Sequence, residues 1–599
     1  MIRNSASVTR TVLLIIGSAL FLLCSSGFAT NYYIAANGSD ANSGLDTAHP
    51  WAHAPGMPNC ASACLTKQTA GLNVGDRFIF KGGDTWHFGN AAAAPYTGGA
   101  WGPPWPSTYA DNTCIYGSSQ SLCVYFGVDQ TWFTGASWTR PILTGDNPTS
   151  LSPVASCAYV SPGGGAHGMI AVGAENIFDN FEITGFCVDT TPNILLNPIS
   201  VNQVSSFITN VYIHGWSVTN ANYAGSGMTC SLIGGNNNTL VTMHHIVIDG
   251  SDSKSNVCAW AGAGPSFYHF YDSYVGHTTQ GVGQKCHNIH DNIFEYFDNP
   301  LTDTSTSKTH GNLLECNTDL AGNAPSPNPQ NTPNVFYNNI ARHATTNFTL
   351  AGHVVLWFAP RGSADEYWFN NIVYDVGNEN YWDVCWPAVG DITSANCGAL
   401  GSAVGYTGKI RMFNNILVDG TQPCPPTGNG SLMAVYNEHF IHTTTTTTGY
   451  TCATISDSSN VQMTDAVAVS LGFGTYTGLI NTQNQGTINC ANESTTPCSS
   501  VLATSPTVGV GANFQQYCTL LAGYTQEPAI SVDAANACKY GTTDGCTYNN
   551  GAGVHAMVCP AHTAVVRPPT AAWDAGAYQF SITSSQAPLP PSLLQVSVQ

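Results

Sequence analysis

One short unit returns again and again through the middle of this chain. A polar residue, most often Asn or Asp, is followed by apolar positions that alternate with polar ones. Examples are Asp179-Asn180-Phe181-Glu182-Ile183, Thr209-Asn210-Val211-Tyr212-Ile213, His245-Ile246-Val247-Ile248-Asp249, Asp291-Asn292-Ile293-Phe294, Asn338-Asn339-Ile340, Asn370-Asn371-Ile372 and Asn414-Asn415-Ile416. The intervals run from about 20 to 44 residues, and no period of 3.6 competes over a long window. Short strands at variable spacing predict a solenoid of parallel strands. The shortest interval is then a bare coil, and the longer ones add loops. Inward residues should stack from coil to coil, and Asn at each bend should form a ladder of side-chain amides. A propeller would need hairpins at a longer, steadier repeat.

The densest stretch lies between Lys285 and Thr318. His290-Asp291-Asn292-Ile293-Phe294-Glu295 reads again twenty residues later as His310-Gly311-Asn312-Leu313-Leu314-Glu315, with Lys285 and Lys308 ahead of the two copies. A coil of this length is expected to lay the second copy over the first. That would gather two Lys, several His and a set of carboxylates on one wall.

Charge is scarce elsewhere. Asp, Glu, Lys and Arg make up 8% of 599 residues, against roughly 25% in ordinary globular proteins. The N-terminus reads as a secretory leader over 1–29, with Arg3 and Arg10 before the apolar run Val12 to Cys24 and small residues at the cleavage site. Without those two Arg the chain carries 13 basic against 35 acidic residues. Nucleic acid, which needs a basic footprint, is excluded as a partner. No other apolar run is long enough for a membrane span. Beyond Cys24 there are 20 Cys, an even number that suits a disulfide framework in an exported protein. Near pairs such as Cys60/Cys64, Cys114/Cys123 and Cys538/Cys546 are expected, together with inter-coil pairs such as Cys157/Cys187, Cys230/Cys258 and Cys286/Cys316.

The expected organisation is a leader over 1–29, a β-helix domain over 30–581 and a flexible tail over 582–599. Within the domain, 30–137 is an N-terminal cap with an insertion, 138–440 holds the main coils, and 441–581 holds C-terminal coils and a Cys-rich closing segment. A secreted monomer is expected.

Asn31-Tyr32-Tyr33-Ile34-Ala35-Ala36-Asn37-Gly38-Ser39-Asp40 opens this domain, and Gly75-Asp76-Arg77-Phe78-Ile79-Phe80-Lys81-Gly82-Gly83-Asp84 follows. Arg567-Pro568-Pro569 and Trp573-Asp574-Ala575-Gly576-Ala577-Tyr578 end it. These segments resemble the opening and closing segments of secreted right-handed parallel β-helix proteins of the pectate-lyase-like superfamily. The resemblance implies an all-β, right-handed parallel β-helix with long loops. Thr306-Ser307-Lys308-Thr309, with Asn312 and Asn317-Thr318, resembles a segment of the chondroitinase B and alginate lyase family. That likeness implies Lys308 as catalytic base and Asp303 as a calcium ligand. Leu301 stands where the family has a second acidic ligand, and Arg361 is the nearest match to its partner Arg.

The chemistry can also be read from residue types. Eliminative cleavage of a uronic-acid polymer removes the proton beside a carboxylate, so it needs a base and a cation to stabilise the developing charge. Lys308 and Lys285 can act as base if a neighbouring cation lowers their pKa. His310 or His287 can assist proton transfer, and Arg361 can face the carboxylate. Asp291, Asp298, Asp303 and Glu315 could hold Ca2+. Trp101 and Trp105 in the N-terminal insertion, and Trp357 and Trp368 near Arg361, are candidates for stacking on sugar rings. The expected function is cleavage of an acidic polysaccharide by a lyase. Alternatives are a glycoside hydrolase using Asp298 and Glu315, and a non-catalytic carbohydrate-binding protein.

Overall fold

In this computed structural model the described residues are 29–89, 101–104, 114, 120–152, 154–159, 169–172, 175–188, 199–201, 206–219, 230–235, 240–253, 258–261, 267–278, 286–295, 314–317, 333–342, 354–359, 365–374, 380–383, 410–418, 433–436, 439–441, 461–463, 509, 511–523, 528–542, 545–551, 553–559 and 564–577. The proposed leader, but for Ala29, and the tail lie outside them. Twelve strands, from Asn31–Ile34 to Met433–Tyr436, pair into one long parallel sheet. Twelve more, from Thr85–His87 to Val461–Met463, pair into a second. Shorter parallel sheets of four and three strands form a third wall. The chain visits the first sheet, then the second, then the third wall, and returns. This is a parallel β-helix.

Alternation along each strand decides what lies inside. Phe178, Ile208, Met243, Phe270, Ile289, Phe336, Trp368 and Met412 are consecutive register partners across the first sheet, and all are buried in the core. On the second sheet Ile183, Ile213, Ile248, Val275, Phe294, Ala341 and Val373 form the matching inner row. Burying each large side chain contributes about 1.5–3 kcal/mol.

The recurring sequence unit is the corner between the two long sheets. Its first residue is left-handed at Asn180, Asn210, His245, Asp272, Asp291, Asn338, Asn370 and Asn414, with φ of 51–66°. Short polar side chains tolerate that conformation best, which explains the Asn and Asp preference. The second corner residue points inward. From Asn292 onward it forms the expected amide ladder. Asn292 Nδ2 donates to Asn339 Oδ1, Asn339 to Asn371 and Asn371 to Asn415, each at 3.0 Å. The same oxygens accept the backbone N–H of the preceding corner.

The near-repeat does not stack. Strand Ile293–Glu295 lies in the second sheet and pairs with Tyr274–Gly276 and Ile340–Arg342. Strand Leu314–Asn317 lies in the third wall and pairs with Val354–Ala359. The interval of twenty residues is therefore a passage from one wall to another, not a full coil.

The closing segment does more than finish the last coil. Helices α2 (Gln515–Ala522) and α3 (Pro528–Lys539) are joined by Cys518–Cys538 and lie on the outer face of the first sheet. There they cover an outer aromatic row. His244, Tyr271, His290, Tyr337, Phe369 and Phe413 stack in register with ring centroids 4.6–5.1 Å apart. The antiparallel hairpin of Thr547–Asn549 and Ala556–Val558 covers Tyr212, Val247, Tyr274 and Ile293 on the second sheet. Cys546 bonds Cys559 and Cys538 bonds Cys518, so the expected Cys538/Cys546 pair is replaced by two pairs that each close one cover. Cys60–Cys64, Cys114–Cys123 and Cys157–Cys187 form as read from spacing. Cys230 and Cys258 are register partners on adjacent strands. Helix α1 (Ser62–Ala70) closes the N-terminal end. No helix among the described residues is long and apolar enough to cross a membrane.

Candidate functional site

The third wall brings together two residues that the sequence singled out separately. Glu315 is the register partner of Trp357, and Trp357 is the register partner of Asp383. One row across Leu314–Asn317, Val354–Ala359 and Asn380–Asp383 thus reads acidic, aromatic, acidic. Asp383 was not singled out from sequence, because nothing in Asn380-Tyr381-Trp382-Asp383 carries a motif. Only strand pairing aligns it with Glu315. Lys308 and His310 precede this wall in the chain by six and four residues, and Arg361 follows strand Val354–Ala359 by two. Lys308, His310, Lys285, Arg361, Asp303, Asp298 and Trp105 lie outside the described residues. His287 sits in strand Cys286–His290 of the first sheet, one position before Asn288.

Two expectations are corrected, and a third residue is placed. Trp101 is fully buried, donates its indole N–H to the Pro55 carbonyl at 3.1 Å and packs among Phe80, Phe126 and Phe178. It fills the N-terminal core and offers no face to a sugar. Trp368 is an inner-row residue between Phe336 and Met412, buried for the same reason. Asp291 is a left-handed corner residue whose carboxylate bonds His290 Nδ1 at 2.7 Å.

The outer face of the second sheet carries a cluster of paired ionisable groups. His214 Nδ1 meets Asp252 at 2.8 Å and its Nε2 meets Glu182 at 3.1 Å. Burial alone would lower the His214 pKa, but the two carboxylates outweigh it and push it up to about 9. Further along the same face Arg342 Nε bonds Glu295 at 2.6 Å, with both side chains at 0–1% exposure. A buried pair of this kind is held by geometry, and losing one partner leaves the other charge stranded. Inside the coil, burial pushes the Glu366 carboxyl up to about 8, and the bond from Asn334 at 3.3 Å offsets only part of that.

Among the described residues one group has the composition of a metal site: His245, Asp272 and Cys559. Cys559 is bonded to Cys546, so it offers no thiolate. Two donors remain, which is too few for a structural zinc site.

No family model matches the chain, and no curated protein matches it. Among solved structures it is similar to pectate lyase Pel9A, at 14% identity over 82% of this chain and 94% of that one, with a TM-score of 0.39. It is similar to the GH136 lacto-N-biosidase from Eubacterium ramulus at 10% identity, over 76% of this chain and 70% of that one, with a TM-score of 0.38. A rhamnogalacturonan lyase matches at 11% identity, over 68% of this chain and 87% of that one, with a TM-score of 0.32. The fold itself rests on the strand register: this chain is a parallel β-helix whose closing segment covers both long sheets.

Proposed function

We propose that the protein is an exported, carbohydrate-active β-helix that cleaves a uronic-acid-containing polysaccharide by β-elimination at the third wall. The observation that carries this reading is the register row Glu315, Trp357, Asp383. An aromatic position between two acidic ones is the composition that sugar recognition uses, with apolar stacking flanked by hydrogen-bond acceptors. The chain delivers Lys308 and His310 immediately before that row. In the proposed reaction Lys308 withdraws the proton beside the substrate carboxylate, a C=C bond forms as the adjacent glycosidic C–O bond breaks, His310 or Lys285 gives a proton to the departing oxygen, and Arg361 faces the carboxylate. Calcium at Asp298, Asp303 and Glu315 belongs to the proposal as a binding site only. It is tested by calcium titration of the whole protein against the Asp303→Asn variant.

Incubation with alginate, pectate and glycosaminoglycans, followed at the unsaturated-uronate absorbance band, tests the reaction. A rise that Lys308→Ala abolishes supports it, and no rise with any polymer refutes it. The row also favours a second reading. Glu315 and Asp383 are two strands apart, about 9.6 Å between Cα atoms. That Cα separation is just above the carboxyl spacing of about 6.5–9.5 Å in inverting glycoside hydrolases. New reducing ends without an unsaturated product, lost in Glu315→Gln and Asp383→Asn, would select that reading.

A further inference from the structure

The hairpin that covers the second sheet is held by a chain of titratable groups. Tyr548 donates its hydroxyl proton to Asp249 Oδ2 at 2.8 Å, and the Tyr548 hydroxyl oxygen lies 2.9 Å from His555 Nδ1. A phenol has one proton, so Nδ1–H of His555 must be the donor in the second bond. The neutral ring then carries its only proton on Nδ1. That ring lies flat on Tyr212, with centroids 4.5 Å apart and planes within 1°. Tyr212 in turn stacks on His214 at 4.1 Å. His214 is bracketed by Glu182 and Asp252 and is positive at neutral pH. Arg140 Nη1 bonds the carbonyl of Val554, the residue before His555, at 2.8 Å.

The groups around His555 can be named element by element. Strand Glu182–Thr184 contributes Glu182. Strand Tyr212–Ile213 and the residue after it contribute Tyr212 and His214. Strand Val247–Asp249 and the turn after it contribute Asp249 and Asp252. Arg140 stands two residues before strand Ile142–Thr144, and the hairpin itself contributes Tyr548. Tyr274 packs on Tyr548 at 4.1 Å, and His245 and Asp272 approach Cys559 at the hairpin base. Two cations, His214 and Arg140, therefore share the tip of the hairpin with His555. A second proton on His555 would place a third positive charge among them.

We propose that this hairpin is a pH-sensitive clasp, docked while His555 is neutral and released when His555 takes a second proton. The Cys546–Cys559 bond ties the two ends together, so the segment can lift as one unit. Release uncovers Tyr212, Val247, Tyr274 and Ile293 together with the carboxylates of Glu182 and Asp249. In the docked state burial, followed by the charge of His214, holds the His555 pKa below its ordinary value. The sign follows: docking is strongest above the free-histidine range and weakens as pH falls through it, by roughly tenfold per pH unit until the docked pKa is passed. The clasp does not depend on the reaction assigned to the third wall.

Hydrogen–deuterium exchange of the whole chain at pH 7.5 and 5.0, corrected for the intrinsic rate, tests the clasp. Protection of peptides spanning 545–559 should fall severalfold at pH 5.0. Peptides spanning 286–295 should keep theirs. His555→Gln and His555→Phe cannot take the second proton, and His555→Phe keeps the ring stack on Tyr212. Either variant that is protected at pH 7.5 should remain protected at pH 5.0. An unchanged wild-type hairpin, or an equal loss in a protected variant, overturns the proposal. If neither variant is protected at pH 7.5, shape rather than charge holds the hairpin, and the proposal also fails.

Discussion

The corner between the two long sheets is built in two ways along one molecule. In the first half its second residue is apolar: Phe181, Val211 and Ile246 are fully buried and belong to the core. In the second half the equivalent positions are Ser273, Asn292, Asn339, Asn371 and Asn415, and the corner becomes a column of amides. The first residue is left-handed in both halves. The backbone path is therefore the same, and the filling differs. Apolar corners draw on burial, which tolerates varied shapes. Amide corners draw on directional bonds that repeat only if each coil presents the same group at the same height. The amide half is consequently the more specific and the less forgiving.

The largest expected effect lies where the halves should agree. The inner row is continuous, so Trp368→Ala in the amide half and Phe178→Ala in the apolar half should each cost about 3–5 kcal/mol in denaturant unfolding. A much smaller loss at either site would mean that the interior is not one core. Asn371→Leu should cost about 3 kcal/mol, because it strands the backbone N–H of Asn339 and takes one bond each from the Asn339 amide and the Asn415 oxygen. Replacing Val211 by Asn should cost about 1–3 kcal/mol, since the new amide has no ladder above or below it. If Val211→Asn proves neutral, the contrast between the halves collapses. The effect of Glu366→Gln should depend on pH. The raised pKa of Glu366 means that the folded form holds its proton more tightly than the unfolded chain. Stability from this group is thus greatest below about pH 4.5 and is lost as pH rises toward about 8. Melting temperatures of Glu366→Gln should match wild type below about pH 4.5 and exceed it by a margin that grows as pH rises toward about 8.

Much of this fold was legible from sequence. Alternation and the Asn-containing units identified parallel coils and even the amide ladder. The units were corners rather than strands, because Asn is preferred where φ is positive, and the strands begin one or two residues later. The near-repeat misled about stacking. Asp291 and Gly311 can each turn a chain, and Glu295 and Glu315 each end an alternating run. Nothing local says that one copy crosses between long sheets while the other enters the third wall. Trp101 and Trp368 misled for a related reason: an aromatic side chain serves a core as readily as a binding surface, and only its side of the sheet distinguishes the two. Asp383 was invisible, since only register aligns it with Trp357 and, through Trp357, with Glu315.

By itself, then, the sequence determined the solenoid, the polar corners and the disulfide-rich character. These depend on residue type and short-range periodicity, which a single strand already expresses. Tertiary structure alone decided which copies share a wall, which Trp is buried, and that the closing segment folds back over both long sheets as two disulfide-linked covers. Those outcomes depend on register between strands tens of residues apart. A one-residue shift there exchanges the inner and outer faces without altering any local pattern.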